Sequence, residues 1–192
     1  MKARAIMALV LATTLMAITF VGCVSSPEII LQDGFEQGMG DWAVGMDLPI
    51  DPETDIPVQA SVAISSERAR SGEASINITI DGRQDDGIVW VMRSITVPSD
   101  GAIDLKISFF VYSESESFNT IAHVVAYIGD DQPVNENSFE KLGPANPAEG
   151  WNEFHLENKL DSDGEIWIAV GISVAWETWM TYFIDDISVA SK

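Results

Sequence analysis

Apolar and polar residues alternate with a period of two through much of the chain. Between 103 and 111 the odd positions Ile103, Leu105, Ile107, Phe109 and Val111 are apolar, while Asp104, Lys106 and Ser108 take the even ones. Successive side chains of a strand point to opposite faces, so this segment predicts a strand with its odd face in a core. Ile166, Ile168, Val170, Ile172 and Val174 repeat the pattern and leave Trp167, Ala169, Gly171, Ser173 and Ala175 on a small, flat opposite face. Alternating or β-branched runs cover 29–31, 61–65, 75–80, 88–97, 102–112, 120–128, 153–156, 165–175 and 182–189. Asp81-Gly82, Asp86-Gly87, Pro98-Ser99-Asp100-Gly101, Gly129-Asp130-Asp131, Gly143-Pro144 and Asp161-Ser162-Asp163-Gly164 fall between them. These residue types supply positive φ or cap the backbone in turns. Helical periodicity is missing after the first 22 residues. The pattern predicts an all-β chain of about nine strands, an antiparallel β-sandwich.

Parity leaves two places open. His123 and Tyr127 share a face with Ile121 and Val125, and Arg93 is in register with Val89 and Val91 rather than with Trp90. Two stretches, 39–60 and 132–150, are rich in Pro and acids and show no strand pattern. Loops of that length are often functional or disordered.

The last run, Tyr182-Phe183-Ile184-Asp185-Asp186-Ile187-Ser188-Val189, carries two acids inside an apolar strand. Burying an unpaired carboxylate costs several kcal/mol, so a compensating partner is required. The candidate is Asp33-Gly34-Phe35-Glu36, near the other end of the pattern.

Lys2 and Arg4, an apolar run over 5–21 and then Gly22-Cys23 have the order of an export signal. Phe20-Val21-Gly22-Cys23 resembles the lipobox of prokaryotic lipoproteins, with Phe20 where an aliphatic residue is usual. The resemblance implies a signal peptide over 1–22, a lipidated Cys23, a short tether over 23–28 and a domain over 29–190. The alternative is an uncleaved transmembrane helix, which wants about 20 apolar residues. Either places the domain outside the cytoplasm, cell-surface or periplasmic, with the membrane as a partner through its anchor. Cys23 is the only cysteine, so the domain has no disulfide and relies on its core, alone or together with a metal. The chain has 10 Lys and Arg against 30 Asp and Glu. Loss of Lys2 and Arg4 with the leader would move the net charge from −20 to −22. Such a surface excludes nucleic acid as a partner, since that needs basic patches.

The ordered set Asp33-Gly34-Phe35-Glu36, Gly40-Asp41-Trp42, Arg70-Ser71-Gly72-Glu73-Ala74-Ser75, Ser94-Ile95-Thr96-Val97-Pro98, Gly150-Trp151 and Phe183-Ile184-Asp185-Asp186-Ile187 resembles carbohydrate-binding modules with the galactose-binding-like jelly-roll fold. The resemblance implies a structural calcium joining the first and last strands. Glu36 and Asp185, rather than Asp186, would give carboxylates, and carbonyls near Asp33 and near Arg70-Ser71-Gly72 would complete the shell. Calcium takes oxygen ligands of this kind. The alternative is that one of the two acids faces solvent and the other pairs with Arg68 or Arg70.

Trp42 and Trp151 fall where such folds use packing residues. Sugars stack on exposed aromatic faces while their hydroxyls seek polar partners at the rim. Trp90, Trp167, Trp176, Trp179, Tyr112 and Tyr127 are candidates for that role, with Arg93, His123 and Glu177 as neighbours. Trp176-Glu177-Thr178-Trp179 is the leading one, because two tryptophans flanking a turn are hard to bury; the alternative is that they cap the sandwich or touch the membrane. Neither histidine has zinc-like spacing, and no Gly-x-Ser-x-Gly or phosphate loop occurs. The expectation is a non-catalytic, extracellular glycan-binding lipoprotein, the alternative is a cell-surface structural or protein-binding lipoprotein on the same scaffold, and a hydrolase is the weakest reading.

Overall fold

A computed structural model describes residues 27–98, 101–162 and 164–192. The expected leader 1–22, the lipidation site Cys23 and the start of the tether lie outside the described residues. Each run read from the alternation falls on a strand, though 29–31 covers only half of its strand and 153–156 less than a third. The strands are β1 (Glu28–Asp33), β2 (Ala43–Asp47), β3 (Ile50–Asp51), β4 (Ile56–Pro57), β5 (Ala60–Ser65), β6 (Ser75–Asp81), β7 (Ile88–Thr96), β8 (Gly101–Ser113), β9 (Ala122–Gly129), β10 (Glu140–Pro144), β11 (Gly150–Ser162), β12 (Glu165–Val174) and β13 (Trp179–Ser191).

Four of these, β2, β3, β4 and β10, lie in 39–60 and 132–150, where the pattern predicts none. β2 and β10 are the edge strands of their sheet. An edge strand with mostly exposed side chains needs no apolar face, so alternation does not reveal it.

One sheet has the order β11-β8-β13-β6-β5, with β1 also paired to β13; the other runs β10-β9-β12-β7-β2. β3 and β4 form a small hairpin of their own. The two sheets bury a shared core. Leu105, Ile107, Phe109 and Val111 of β8 meet Ile166, Ile168, Val170, Ile172 and Val174 of β12 in one cluster, as alternation predicts.

β13 organises the first sheet. It pairs with β8 on one side, and on the other with β6 along its first half and β1 along its last part. Asp185 and Asp186 lie where these two partners change over. There the register against β8 slips, and Asp186 takes a φ of 50°. Such a bulge turns consecutive side chains out of the normal alternation, so both carboxylates can meet the loops at that edge.

The pairing also defines two ends. Trp179 opposite Asp81 and Gly150 opposite Ser113 mark one, called the tip here. Glu28 opposite Ser191 and Ser162 opposite Gly101 mark the other. A strand of the length of β8 separates them by about 40 Å.

Candidate functional site

The acids of β13 meet the segments that the sequence singles out. Asp185 is fully buried and accepts three backbone N–H bonds, from Arg70 (2.7 Å) and Ser71 (3.3 Å) on Oδ2 and from Asp186 (2.7 Å) on Oδ1. Burial pushes its carboxyl above the usual range, partly offset by these amides. Asp186 accepts from Arg70 Nη1 and Ser71 Oγ, both at 2.6 Å. Glu36 accepts from the amides of Glu73 (3.0 and 3.1 Å) and Ala74 (3.0 Å). Gly72 has a φ of +61° and lies so close to the Glu36 carboxylate that a Cβ would overlap it. Asp33 stands apart, accepting from the Phe35 amide and from Trp42 Nε1 at 3.0 Å.

This donor set does not fit the expected calcium. The ion takes about six to eight oxygens, yet the atoms aimed at Glu36, Asp185 and Asp186 are amide N–H groups, a hydroxyl and a guanidinium. Among the described residues no three acidic, His or Cys side chains cluster as metal ligands. The pairing of Asp186 with Arg70 is one half of the alternative that the sequence left open; the other half fails, since Asp185 is buried rather than facing solvent.

The second region is the outer face of the five-stranded sheet, where Trp167, Ala169, Gly171 and Ser173 predict a flat surface. Cross-strand pairing puts Trp90 between Gly45 and Gly171, and Tyr127 opposite Ala169. The glycines are required: a Cβ at Gly45 would enter the Trp90 indole, and one at Gly171 would strike Val89 O and Trp90 Cβ. The face is nevertheless covered at its centre, by 132–139 of its own chain. Phe139 packs on Trp90 at 5.1 Å and on Tyr127 at 6.1 Å between ring centroids. Glu136 accepts from Ser173 Oγ at 2.8 Å and pairs with Lys141 at 3.0 Å. Burial raises the Glu136 carboxyl, but those two partners outweigh it and hold it below the usual range. His123, on the same face, is held below its usual value by burial and by Lys141.

This corrects the expectation for Trp90. Its indole is 2% exposed and cannot stack on a sugar beneath Phe139. Tyr127 is half-buried, with its hydroxyl donating to Asp131 O at 2.8 Å. One part of the face stays open, a hollow of about 250 Å³ lined by Asp41, Ala43, Met92, Arg93, Ser94 and Trp167. Arg93, which shares parity with the core residues, escapes at the sheet edge to bind Asp41 at 2.8 Å.

The third region is the tip. Trp176 and Trp179 are 55% and 52% exposed, as their turn context predicts. Trp179 forms one wall of a cavity of about 330 Å³, and Ser113, Glu114, Ser115, Asn146, Thr178 and Thr181 supply polar groups to the others. Tyr182 closes the apolar side, its hydroxyl pushed up to about 12 by burial. Asn146 fixes the rim: its side-chain amide donates to Ser117 O and Asn119 O. That contribution from 145–146 lies in a stretch without pattern, and only its turn composition could have drawn notice. Trp42 is buried against Phe35, and Trp151 packs edge-on to Tyr112, so both serve as packing residues.

Two antiparallel sheets with a shared core and aromatic-walled hollows make a β-sandwich, and the class is one that other solved structures share. No protein-family model and no curated protein matches the sequence. In fold, the chain is similar to carbohydrate-binding modules of the β-sandwich superfamily. One, described for promiscuous specificity, aligns at TM-score 0.53 and 17% identity over 80% of this chain and 59% of that one, so the chain spans under two thirds of its length. A family 61 module in complex with β-1,4-galactotriose aligns at 0.52 and 16%, over 81% of this chain and 92% of its own. The C-terminal family 22 module of a Clostridium thermocellum protein aligns at 0.50 and 15%, over 84% and 92%. Likeness at these identities is likeness of fold.

Proposed function

We propose that this is a non-catalytic glycan-binding domain that holds its ligand at the tip. One observation carries the reading: a half-exposed tryptophan, Trp179, lines a cavity that sets hydroxyl, amide and carboxylate groups beside the apolar Ile121, Met180 and Tyr182. A pyranose presents apolar C–H faces and polar edges, and this cavity offers a partner for each. Its volume lies near the lower end of the about 300–1,000 Å³ usual for small-ligand sites, suited to one or two sugar rings. The fold shared with carbohydrate-binding modules supports the reading.

A glycan array or affinity gel with the wild-type protein, Trp179→Ala and Trp176→Ala is the test. Retention of a neutral polysaccharide by the wild type and its loss in Trp179→Ala is the expected result. No retention of any polysaccharide removes the lectin reading and leaves the surface protein-interaction role. A second site is favoured by one specific feature, the Arg93–Asp41 pair beside Trp167, which offers donors and acceptors at the edge of an aromatic ring. Loss of binding in Trp167→Ala with Trp179→Ala unaffected would move the ligand there.

The reading includes export and anchoring through Cys23. Glu28 sits at the end opposite the tip, so a lipid attached near it would direct Trp176 and Trp179 away from the bilayer. Metabolic labelling with a fatty acid, lost in Cys23→Ala, tests the anchor.

A further inference from the structure

We propose that Arg70 closes the junction between the first and last strands of this domain, in the place where the resemblance implies a calcium ion, so that the sandwich is held without a metal. The proposal is independent of the glycan reading, because none of its residues lines either hollow.

Three carboxylates meet at the junction, and two are held by backbone dipoles: Asp185 by the amides of Arg70, Ser71 and Asp186, and Glu36 by those of Glu73 and Ala74. Backbone N–H bonds favour the charged form of a carboxylate, and at Asp185 they offset part of the cost of burial. The third, Asp186, meets one guanidinium at 2.6 Å.

The loop 70–74 is built for anions. The N–H groups of Arg70 and Ser71 point at one carboxylate, and those of Glu73 and Ala74 at another. Successive amides arranged in this way form a concavity for negative charge. To ligate calcium, the loop would have to turn carbonyl oxygens inward and withdraw these amides, and Gly72 at a φ of +61° against Glu36 fixes the present arrangement.

Arg70 is itself held in place. Its guanidinium carbon lies 3.4 Å from the centroid of the Phe110 ring, and Phe110 is the β8 residue paired with Asp185. The cation therefore lies over an aromatic face while its Nη1 reaches Asp186, a double contact that suits arginine better than lysine. A second, divalent cation beside it would face repulsion from the guanidinium charge.

The test is thermal melting of the purified full-length chain, wild type and Arg70→Met, in chelator, in magnesium and in calcium. Wild-type protein is expected to melt at one temperature in all three, within the shift that magnesium gives by screening. Arg70→Met is expected to melt lower by about 5 °C in chelator. It should also regain more from calcium than from magnesium, since removing the guanidinium leaves Asp186 uncompensated. Arg70→Lys, which keeps the charge but not the planar stack, should fall between. A wild-type melting temperature raised by calcium above its value in magnesium, and lowered by chelator, overturns the proposal. So does an Arg70→Met protein that melts with the wild type.

Discussion

Replacing Trp179 by alanine removes the aromatic wall of the tip cavity with little cost to the fold. A tryptophan side chain covers about 150–250 Å² when fully buried, and 52% of this one is open. A sugar lying on it would remove about 100 Å² from water, worth about 2.5 kcal/mol at about 25 cal/mol per Å². Alanine retains a small part of that contact, so the expected loss is about 2 kcal/mol, or about 30-fold in Kd. Isothermal titration with the oligosaccharide that the wild type retains best gives the number directly. Trp179 belongs to neither buried cluster, and its removal should lower stability by about 1 kcal/mol or less. Urea unfolding of the same sample supplies that control. An alanine variant that binds within about twofold of the wild type, with its fold intact, would refute the assignment of this ring to the ligand.

Gly171→Ala should cost about 3 kcal/mol in urea unfolding, because the new methyl meets the Val89 carbonyl and the Trp90 backbone, neither a flexible chain end; a loss under about 0.5 kcal/mol would contradict that packing. Phe139→Ala should cost about 2 kcal/mol and make the Trp90 indole accessible to acrylamide quenching, since Phe139 lies 5.1 Å above it. Unchanged quenching would show that 132–139 does not need this ring to stay down. Glu136 has a lowered native pKa, so its contribution to stability is complete above the unfolded carboxylate value and fades as pH falls through the native one. The gap in melting temperature between wild type and Glu136→Gln should therefore be wide at pH 7 and close at pH 3. A constant gap would mean that the carboxylate is not what Lys141 and Ser173 hold.

The sandwich was legible wherever one side of a strand faces the core and the other does not. β8 shows this cleanly, with Leu105 to Val111 inward and Lys106 and Ser108 outward. β7 was ambiguous for a physical reason: both of its faces are covered, one by the opposite sheet and one by 132–139, so Ile88 to Met92 are all buried. Trp90 could not announce its fate, because what covers it comes from a segment without periodicity. Arg93 breaks the parity because β2 ends at Ala43, opposite Met92, leaving the next position of β7 free at the edge. The need of Asp185 and Asp186 for a partner was visible from their placement in an apolar strand, and Glu36 came from the resemblance. The identity of their counter-charge was not visible, since sequence does not separate Arg68 from Arg70, whereas the fold places Arg68 over Tyr112 and Arg70 over Phe110 within reach of Asp186. The tip was half legible: two tryptophans around a turn predict exposure, whereas the pocket walls from Ser113, Asn146 and Thr181 depend on three distant segments converging.

The position of β13 has a bearing on biogenesis. Sequence places it after every other strand, yet in the sheet it lies inside, touching β8, β6 and β1 at once. While a ribosome is still making the residues up to Ser191, β1 and β6 have no common neighbour and β8 lacks one of its two. The sheet that contains β13 thus stays in pieces until β13 is made, while the strands of the five-stranded sheet are all complete by Val174. A chain cut short before Trp179 would keep all five strands of the other sheet but leave β1, the β5–β6 pair and the β8–β11 pair without the strand that joins them, open edges that invite chaperones and proteases.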